Sequence, residues 1–528
     1  MTHAAQHLWI DRVRSALEGQ GRRPVIEYLQ RQRWFGGKGK PLTDVRLLDA
    51  IELSTGDAPR LLALLLAEYR GGVQERYVVP LSVRPKAASD EAAAIVELSE
   101  PSGSHGSQWV CDATREDDVW RSLYAIVASG REVAGQTGSV LGRTMPGREK
   151  EAAGSASVVK VLSAEQSNTS VVFDRRVIMK LIRKVEMGVN PDSEVLEFLT
   201  TKTVCGDIPP LLGIMTYHDS QAEEVSEGTI GVIQSFIPNQ GDGWSYTRAR
   251  LDELLEKAVG SKPGLVGHPS NSLRDMSDSF LEEIRRLGVI TGNLHLALAS
   301  NTESEAFRPE PITATDVERW QRKMTQFLAD VCRDLRGLSV EQRAMAGLSP
   351  DEADILEAAC RNRFGDLSLL VKGPSVKIRH HGDYHLGQVL KTDEGFVVID
   401  FEGEPARPLE ERRAKACPLK DVAGMLRSFN YAAQVALKQR PSVSAADGVI
   451  MTEWEGAARA VFLDGYRSVV KEGRAEFLPA AWEDAERVLR VYELDKALYE
   501  LRYEMRNRPD WLPIPLQGIR GLLRERIS

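Results

Sequence analysis

Between His380 and Glu404 the chain reads HHGDYHLGQVLKTDEGFVVIDFEGE. A polar loop, HGDYHLGQ, runs into a strand, a turn at Asp393-Glu394-Gly395 and a second strand, FVVID, so Asp383 and Asp400 stand at comparable ends of two hairpin-connected strands. Two carboxylates brought together on a rigid hairpin can divide a task. One takes the proton from an attacking hydroxyl, and the other ligates the magnesium that bridges the phosphates of ATP. Gln388, five residues past Asp383, can offer an amide oxygen to the same ion. His381 and His385 can hydrogen-bond backbone or carboxylate groups and fix the loop, and His385 is also a candidate substrate contact. His380, His381 and His385 lack the regular spacing and further ligands of a zinc site. The plain alternative for the whole segment is a solvated loop followed by an ordinary hairpin.

Phosphoryl transfer from ATP also needs a lysine on a strand to grip phosphates and a carboxylate on a helix to position it. Lys180 follows the apolar strand VIM, and Glu194 and Glu197 share one face of the next helix. Arg183 and Lys184 compete for the lysine's role, and Lys180 reads equally as a strand-edge surface residue. A phosphate-covering loop is expected between the first two strands of this region, where the chain reads SAEQSNTS at 163–170. It has no glycine and is not a GxGxxG loop. Gln166, Ser167, Asn168 and Thr169 can still supply donors there, or form an ordinary polar turn. Gln234 and Phe236, at the end of a strand entering the helical half, stand where a hinge would present backbone to adenine.

The elements that must position these residues are legible from periodicity. Residues 7–33 carry apolar positions at helical spacing, and Val45–Leu53, Leu61–Tyr69 and Gln74–Leu81 read as strands, with a hairpin turn at Gly71-Gly72. Softer stretches follow at 101–107 and 142–157. Strands are expected at 158–163, 169–173 and 176–182, then a helix with Asn190 as N-cap and Pro191 in its first turn, then a strand over Thr229–Phe236. From about residue 245 the pattern is mostly helical, interrupted by the strands at 376–402. This predicts an α+β, two-lobed protein-kinase-like fold with an N-terminal helix-plus-antiparallel-sheet cap. The boundaries fall at 1–105 for the cap, 106–238 for the ATP-binding lobe and 239–528 for a mostly helical lobe with the catalytic loop.

The bulk numbers agree. A chain of 528 residues with 42% hydrophobic residues suggests two or three cooperating units. A net charge of -8 gives no support to nucleic-acid binding. Five cysteines without a CxxC pair argue against a disulfide framework or zinc site. The longest apolar run, Leu61–Ala67, is far too short to cross a bilayer. The expectation is a cytoplasmic protein with reduced thiols.

The segment at 380–404 resembles the aminoglycoside-phosphotransferase-like kinases, whose loop is HGDxHxxN. The resemblance implies Asp383 as catalytic base and Asp400 as the magnesium aspartate, and its pattern favours Glu194 as the partner of Lys180. Gln388 stands where that group usually has Asn. RQRWFGGKGK at 31–40, DFEGEPARPLEERR at 400–413, PLKDVAGMLRSFNYAA at 418–433 and YELDKALYELRYEMRNRPDWLPIPLQGI at 492–519 are similar to segments of bacterial maltokinases. That resemblance implies ATP-dependent phosphorylation of maltose at its anomeric hydroxyl. The product, maltose 1-phosphate, would feed glucan synthesis from trehalose, with trehalose synthase as a possible partner. Related glucosamine kinases share the cap and the loop and are the rival reading; a nucleotide-binding partner module without turnover is the rival of another class. Sugar sites pair carboxylates with aromatics, which makes Asp495, Lys496, Tyr499, Glu500, Tyr503 and Glu504 candidates, the alternative being a core-facing tyrosine stripe with a solvated acidic face. Glu402 and Glu404, just past Asp400, face the same choice, and Arg412 either pairs with them or is a surface charge. RWFGGKGK lacks the Ser or Thr of a phosphate loop and reads as a structural turn.

Overall fold

The computed structural model describes residues 3–19, 21–54, 59–85, 93–98, 108–152, 159–162, 167–224, 226–260 and 271–524. The chain divides into two compact units, one of Met1–Thr201 with Pro209–Pro238, the other of Lys202–Ile208 with Asn239–Ser528.

The first unit begins with helices His3–Glu18 and Arg22–Arg31, followed by β1 (Leu42–Ser54), β2 (Arg60–Tyr69), β3 (Gln74–Pro85), β4 (Ala94–Leu98) and β5 (Gln108–Asp112). These strands form an antiparallel sheet in the order β1-β2-β3-β5-β4. β2 is apolar almost throughout because both of its faces are covered. Leu61, Ala63 and Leu65 pack under the two helices with Val13, Val25 and Leu29. Leu62 and Leu64 point the other way, into a core with Trp120 and Leu123 of the helix Asp117–Ala128. The expected turn at Gly71-Gly72 is present, with φ of +101° and +81°, a conformation that glycine adopts without a Cβ penalty. Trp34 and Phe35 of the RWFGGKGK segment are buried, and Phe35 lies 5.0 Å from the ring of Tyr77. The segment is a packed turn.

A second sheet in this unit comprises β6 (Glu132–Ala134), β7 (Gly138–Thr144), β8 (Val159–Val161), β9 (Asn168–Phe173), β10 (Val177–Ile182), β12 (Leu211–Asp219) and β13 (Glu227–Ser235), ordered β6-β7-β12-β13-β10-β9-β8; β11 (Lys184–Val185) pairs with β3 instead. Lys180 is central, opposite Ser170 on β9 and Val232 on β13. The helix Pro191–Lys202 follows, and the Asn190 side chain accepts the N–H of Ser193 at 3.0 Å, the N-cap contact its sequence position predicts.

The second unit is built mainly from the helices Gly243–Gly260, Asn271–Leu298, Ala314–Arg336, Leu419–Lys438, Ala445–Glu472 and Trp482–Asn507. The strands Val389–Thr392 and Gly395–Val398 form the hairpin that the sequence predicts. Among the described residues no helix is long and apolar enough to cross a membrane. None of the five cysteines forms a disulfide among the described residues.

Candidate active site

The loop that carries Asp383 is held from three sides within the second unit. Asp421, on the helix Leu419–Lys438, is 1% exposed. It accepts the backbone N–H groups of His381 at 2.7 Å and Gly382 at 2.9 Å, and its Oδ2 lies 3.1 Å from Nε2 of His295. Burial alone would raise its pKa, but the histidines around it, His380 and His295 foremost, hold it well below the usual carboxylate range. His381 ties the loop to the hairpin through Nε2 and the carbonyl of Ile399 at 3.0 Å. Tyr384 is buried, with its hydroxyl 3.0 Å from that of Thr291. Gly382 has φ of +89°, and a Cβ there would meet Gly403 Cα at 3.2 Å, so the loops before Asp383 and after Asp400 touch backbone to backbone.

Asp383 emerges from this clamp into a cavity of about 50 Å³ whose lining includes Glu404, Arg407, Asp495, Lys496 and Tyr499. Lys496 Nζ lies 3.0 Å from Asp383 Oδ1 and 3.2 Å from Glu404 Oε1. Burial would raise Glu404, yet Lys496 and Arg407 bring its pKa down to about 2, so it is ionised throughout the physiological range. Burial works in the same direction on Asp495 and wins there, raising its pKa. His385 Nδ1 accepts the N–H of Gly387 at 3.0 Å, which places the proton of the neutral ring on Nε2, 3.9 Å from Asp383 Oδ2. Burial keeps this imidazole's pKa below its ordinary value.

At the other end of the hairpin Asp400 has φ of +68°, a left-handed conformation uncommon outside glycine and a local strain of order 1 kcal/mol. Gln388 Nε2 donates to Asp400 Oδ2 at 2.9 Å. In this arrangement Gln388 presents its nitrogen to the carboxylate, and a half-turn of the amide would present the oxygen expected of a ligand. Asp400 and Glu402 bring carboxylate oxygens within 4.8 Å of one another. Such a pair of hard oxygen donors suits a divalent cation such as magnesium.

In the first unit the carboxylate against Lys180 is Asp192, with Oδ2 3.8 Å from Nζ. Asp192 lies in the first turn of the helix that carries Glu194, and sequence reasoning did not single it out. Glu197 forms a two-pronged pair with Arg143, at 2.8 and 2.7 Å. Of the competing cations, Arg183 is wholly buried and donates to Thr169 Oγ1 and Thr114 Oγ1, each at 2.8 Å, while Lys184 pairs with Glu75 at 2.9 Å.

The family of maltokinase N-terminal cap domains matches residues 28–116. A glucosamine kinase of Streptacidiphilus jiangxiensis is 26% identical over 366 residues, which are 69% of this chain and 73% of that protein. A glucosamine kinase of Mycolicibacterium smegmatis is 25% identical over 369 residues, 70% of this chain and 80% of the relative. Among solved structures, a glucosamine kinase in crystal form B aligns with a TM-score of 0.64 at 21% identity, covering 94% of this chain and 97% of that one. A glucosamine kinase in complex with glucosamine, ADP and inorganic phosphate aligns with a TM-score of 0.61 at 20% identity, covering 94% and 98%. Residues 28–116 thus match a maltokinase-type cap, and about 70% of the chain is similar to glucosamine kinases.

Several expected site residues lie elsewhere than their sequence positions suggested. Glu500 and Glu504 do not face the cavity. Glu500 pairs with the buried Arg427 at 2.6 Å, and Glu504 accepts from Tyr431 and from Arg508. Helical phase is the reason: Tyr492, Asp495, Lys496 and Tyr499 line the cavity, while Glu493, Glu500 and Glu504 fall on another face of the same helix. Arg412 donates to the backbone carbonyl of Glu402 at 3.3 Å and so supports the loop after Asp400. Thr169 is buried on β9 with its hydroxyl accepting from Arg183, a position in the core and not in an open loop. Asn168 is also buried on that strand, whereas Ser167 is exposed; Gln166 lies outside the described residues. The Phe236 N–H donates to Arg176 O at 2.8 Å, and Gln234 sits within β13, opposite Ile178 and Leu211. Of the residues expected on this helix, Asp495 and Lys496 do line the cavity with Tyr499, while Asp421 and Arg407 are the site residues that sequence reasoning left without a role.

His380 gives this protein an acid-sensitive core. Burial lowers its pKa to about 4 despite the nearby Asp421, and its Nδ1 has no hydrogen-bond partner among the described residues. A histidine titrates near 6.5 when unfolded, so the unfolded chain binds the extra proton first. The stabilisation is complete above about pH 6.5 and is lost as pH falls from about 6.5 towards 4, by of order 3 kcal/mol in total. Urea unfolding at pH 7.5 and pH 4.5 checks this: the His380→Gln variant is expected to lose less stability between the two than the unaltered protein.

Proposed function

We propose that this kinase transfers the γ-phosphoryl group of ATP to the anomeric hydroxyl of maltose, giving maltose 1-phosphate. The observation that carries the proposal is Asp383, a carboxylate fixed by its loop and directed into a cavity that also presents Glu404 and Tyr499. A rigid base beside charged and aromatic groups is what an acceptor hydroxyl of a sugar requires. The match of residues 28–116 to the maltokinase cap supports maltose as the acceptor.

In this reading Asp383 receives the proton of O1 as the oxygen attacks phosphorus, and His385 and Lys496 hold the carboxylate in place. Lys180, paired with Asp192, grips nucleotide phosphates from the first unit. Asp400, with Glu402 and Gln388, would hold a magnesium ion, which when bound neutralises charge on the phosphates. The kinase is then cytoplasmic, its product feeds glucan synthesis, and a trehalose synthase is its expected metabolic partner. A second reading, glucosamine as acceptor, is favoured by the curated relatives.

A coupled ATPase assay with maltose, glucosamine and an aminoglycoside separates the readings. Turnover is expected with maltose. A preference for glucosamine overturns the acceptor, and no turnover with any of the three would favour a nucleotide-binding module.

A further inference from the structure

The cavity beside Asp383 contains an ammonium group. Lys496 Nζ is held 3.0 Å from Asp383 Oδ1 and 3.2 Å from Glu404 Oε1, and it sits 5.0 Å from the centre of the Tyr499 ring. The second oxygen of Glu404 is taken by Arg407 Nε at 2.9 Å. Asp421 is committed to the loop N–H groups and to His295. Asp495 has its pKa raised by burial, with Lys420, Arg407 and Lys496 close enough to oppose that rise. Asp383, Glu404 and Asp421 therefore each already have a cationic or N–H partner.

From this arrangement we infer that Lys496 is a specificity-determining residue: its ammonium reserves the cavity for neutral sugars and rejects amino sugars in their charged form. The inference rests on the reading of this cavity as the acceptor site. An ammonium has three N–H donors, of which two are directed at Asp383 and Glu404. The third can be given to an oxygen of a neutral acceptor. A protonated amino sugar has no acceptor to offer at its amine, and it must either sit against Lys496 at close range or displace it from two carboxylates. Like charges set against each other in a partly buried site are an effective means of rejecting a wrong ligand. Although burial alone would lower it, the two carboxylates hold the pKa of Lys496 above its ordinary value, so the ammonium does not escape the conflict by losing its proton.

The test compares the full-length protein with its Lys496→Gln and Lys496→Arg variants. The readout is kcat/KM for glucosamine divided by kcat/KM for the best neutral acceptor among maltose and glucose. Lys496→Gln is expected to raise this ratio by about 10- to 100-fold, and Lys496→Arg, which keeps the charge, to leave it near the starting value. Where Lys496→Gln turns over too slowly, the same ratio is taken from acceptor dissociation constants measured by calorimetry with ADP bound, which also shows that the variant is folded. A ratio unchanged in Lys496→Gln overturns the inference, as does a starting protein that prefers glucosamine to every neutral sugar. If glucose and not maltose is the best neutral acceptor, the maltose assignment fails while the inference about Lys496 stands.

Discussion

Asp383→Asn lowers kcat by about 10²- to 10⁴-fold, the range that a positioned general base contributes, and leaves nucleotide affinity intact. Asparagine keeps the shape of the side chain and an oxygen for Lys496 but cannot receive a proton at neutral pH. Lys496 retains Glu404 at 3.2 Å, so the cavity does not collapse around an orphaned ammonium. The clamp on the loop is made by His381, Gly382 and Tyr384, not by the carboxylate of Asp383. The loss therefore falls on the chemical step and not on folding. Steady-state kinetics with a calorimetric titration of ADP measure both halves, and a near-normal rate in the variant would remove Asp383 from the role of base.

Asp421→Ala is expected to damage both stability and turnover. The buried carboxylate accepts two backbone N–H groups and faces the His295 ring, which is itself 3.0 Å from the Tyr466 hydroxyl. Its removal strands these donors in the core. Breaking a buried, hydrogen-bonded charge in this way costs about 3–5 kcal/mol. The loop that directs Asp383 is freed at the same time, so kcat should fall by at least about 100-fold even well below the unfolding midpoint, because small misplacements of a catalytic group cost that much. Asp421→Asn retains an oxygen acceptor and should recover part of both losses. Urea unfolding and initial rates at 20 °C decide the matter; an alanine variant with ordinary kcat would show that the loop holds itself.

Much of this was legible in the sequence, and for a physical reason. The hairpin from His380 to Glu404 is local: its loop, turn and strands are consecutive, and the two aspartates are placed by the chain itself. The strand β2, buried on both faces, was equally visible as an apolar run between turns. What escaped was set by distant packing. Glu500 and Tyr499 are neighbours in sequence but differ by about 100° around their helix, and only the partner helix with Arg427 decides which faces the core. Lys496 could be named only as one of several sugar-site candidates on that helix; its contacts with Asp383 and Glu404, distant in sequence, were not legible. Asp192 went unnoticed beside Glu194 because a first-turn aspartate is the expected companion of a helix N-terminus. No strand was assigned to Leu211–Asp219, since Gly213 interrupts its apolar run and its pairing partners, β7 and β13, are separated from it in sequence or lie downstream.

The central claim, phosphoryl transfer to the anomeric oxygen of a neutral disaccharide, is tested most directly by phosphorus NMR. The protein is incubated with magnesium, ATP and equal concentrations of maltose and glucosamine, and the new phosphate ester is identified by its coupling to the sugar proton. The account predicts a single product whose phosphorus couples to the anomeric proton of maltose. A phosphorylated glucosamine in its place, or a phosphate on any other position of maltose, would contradict it.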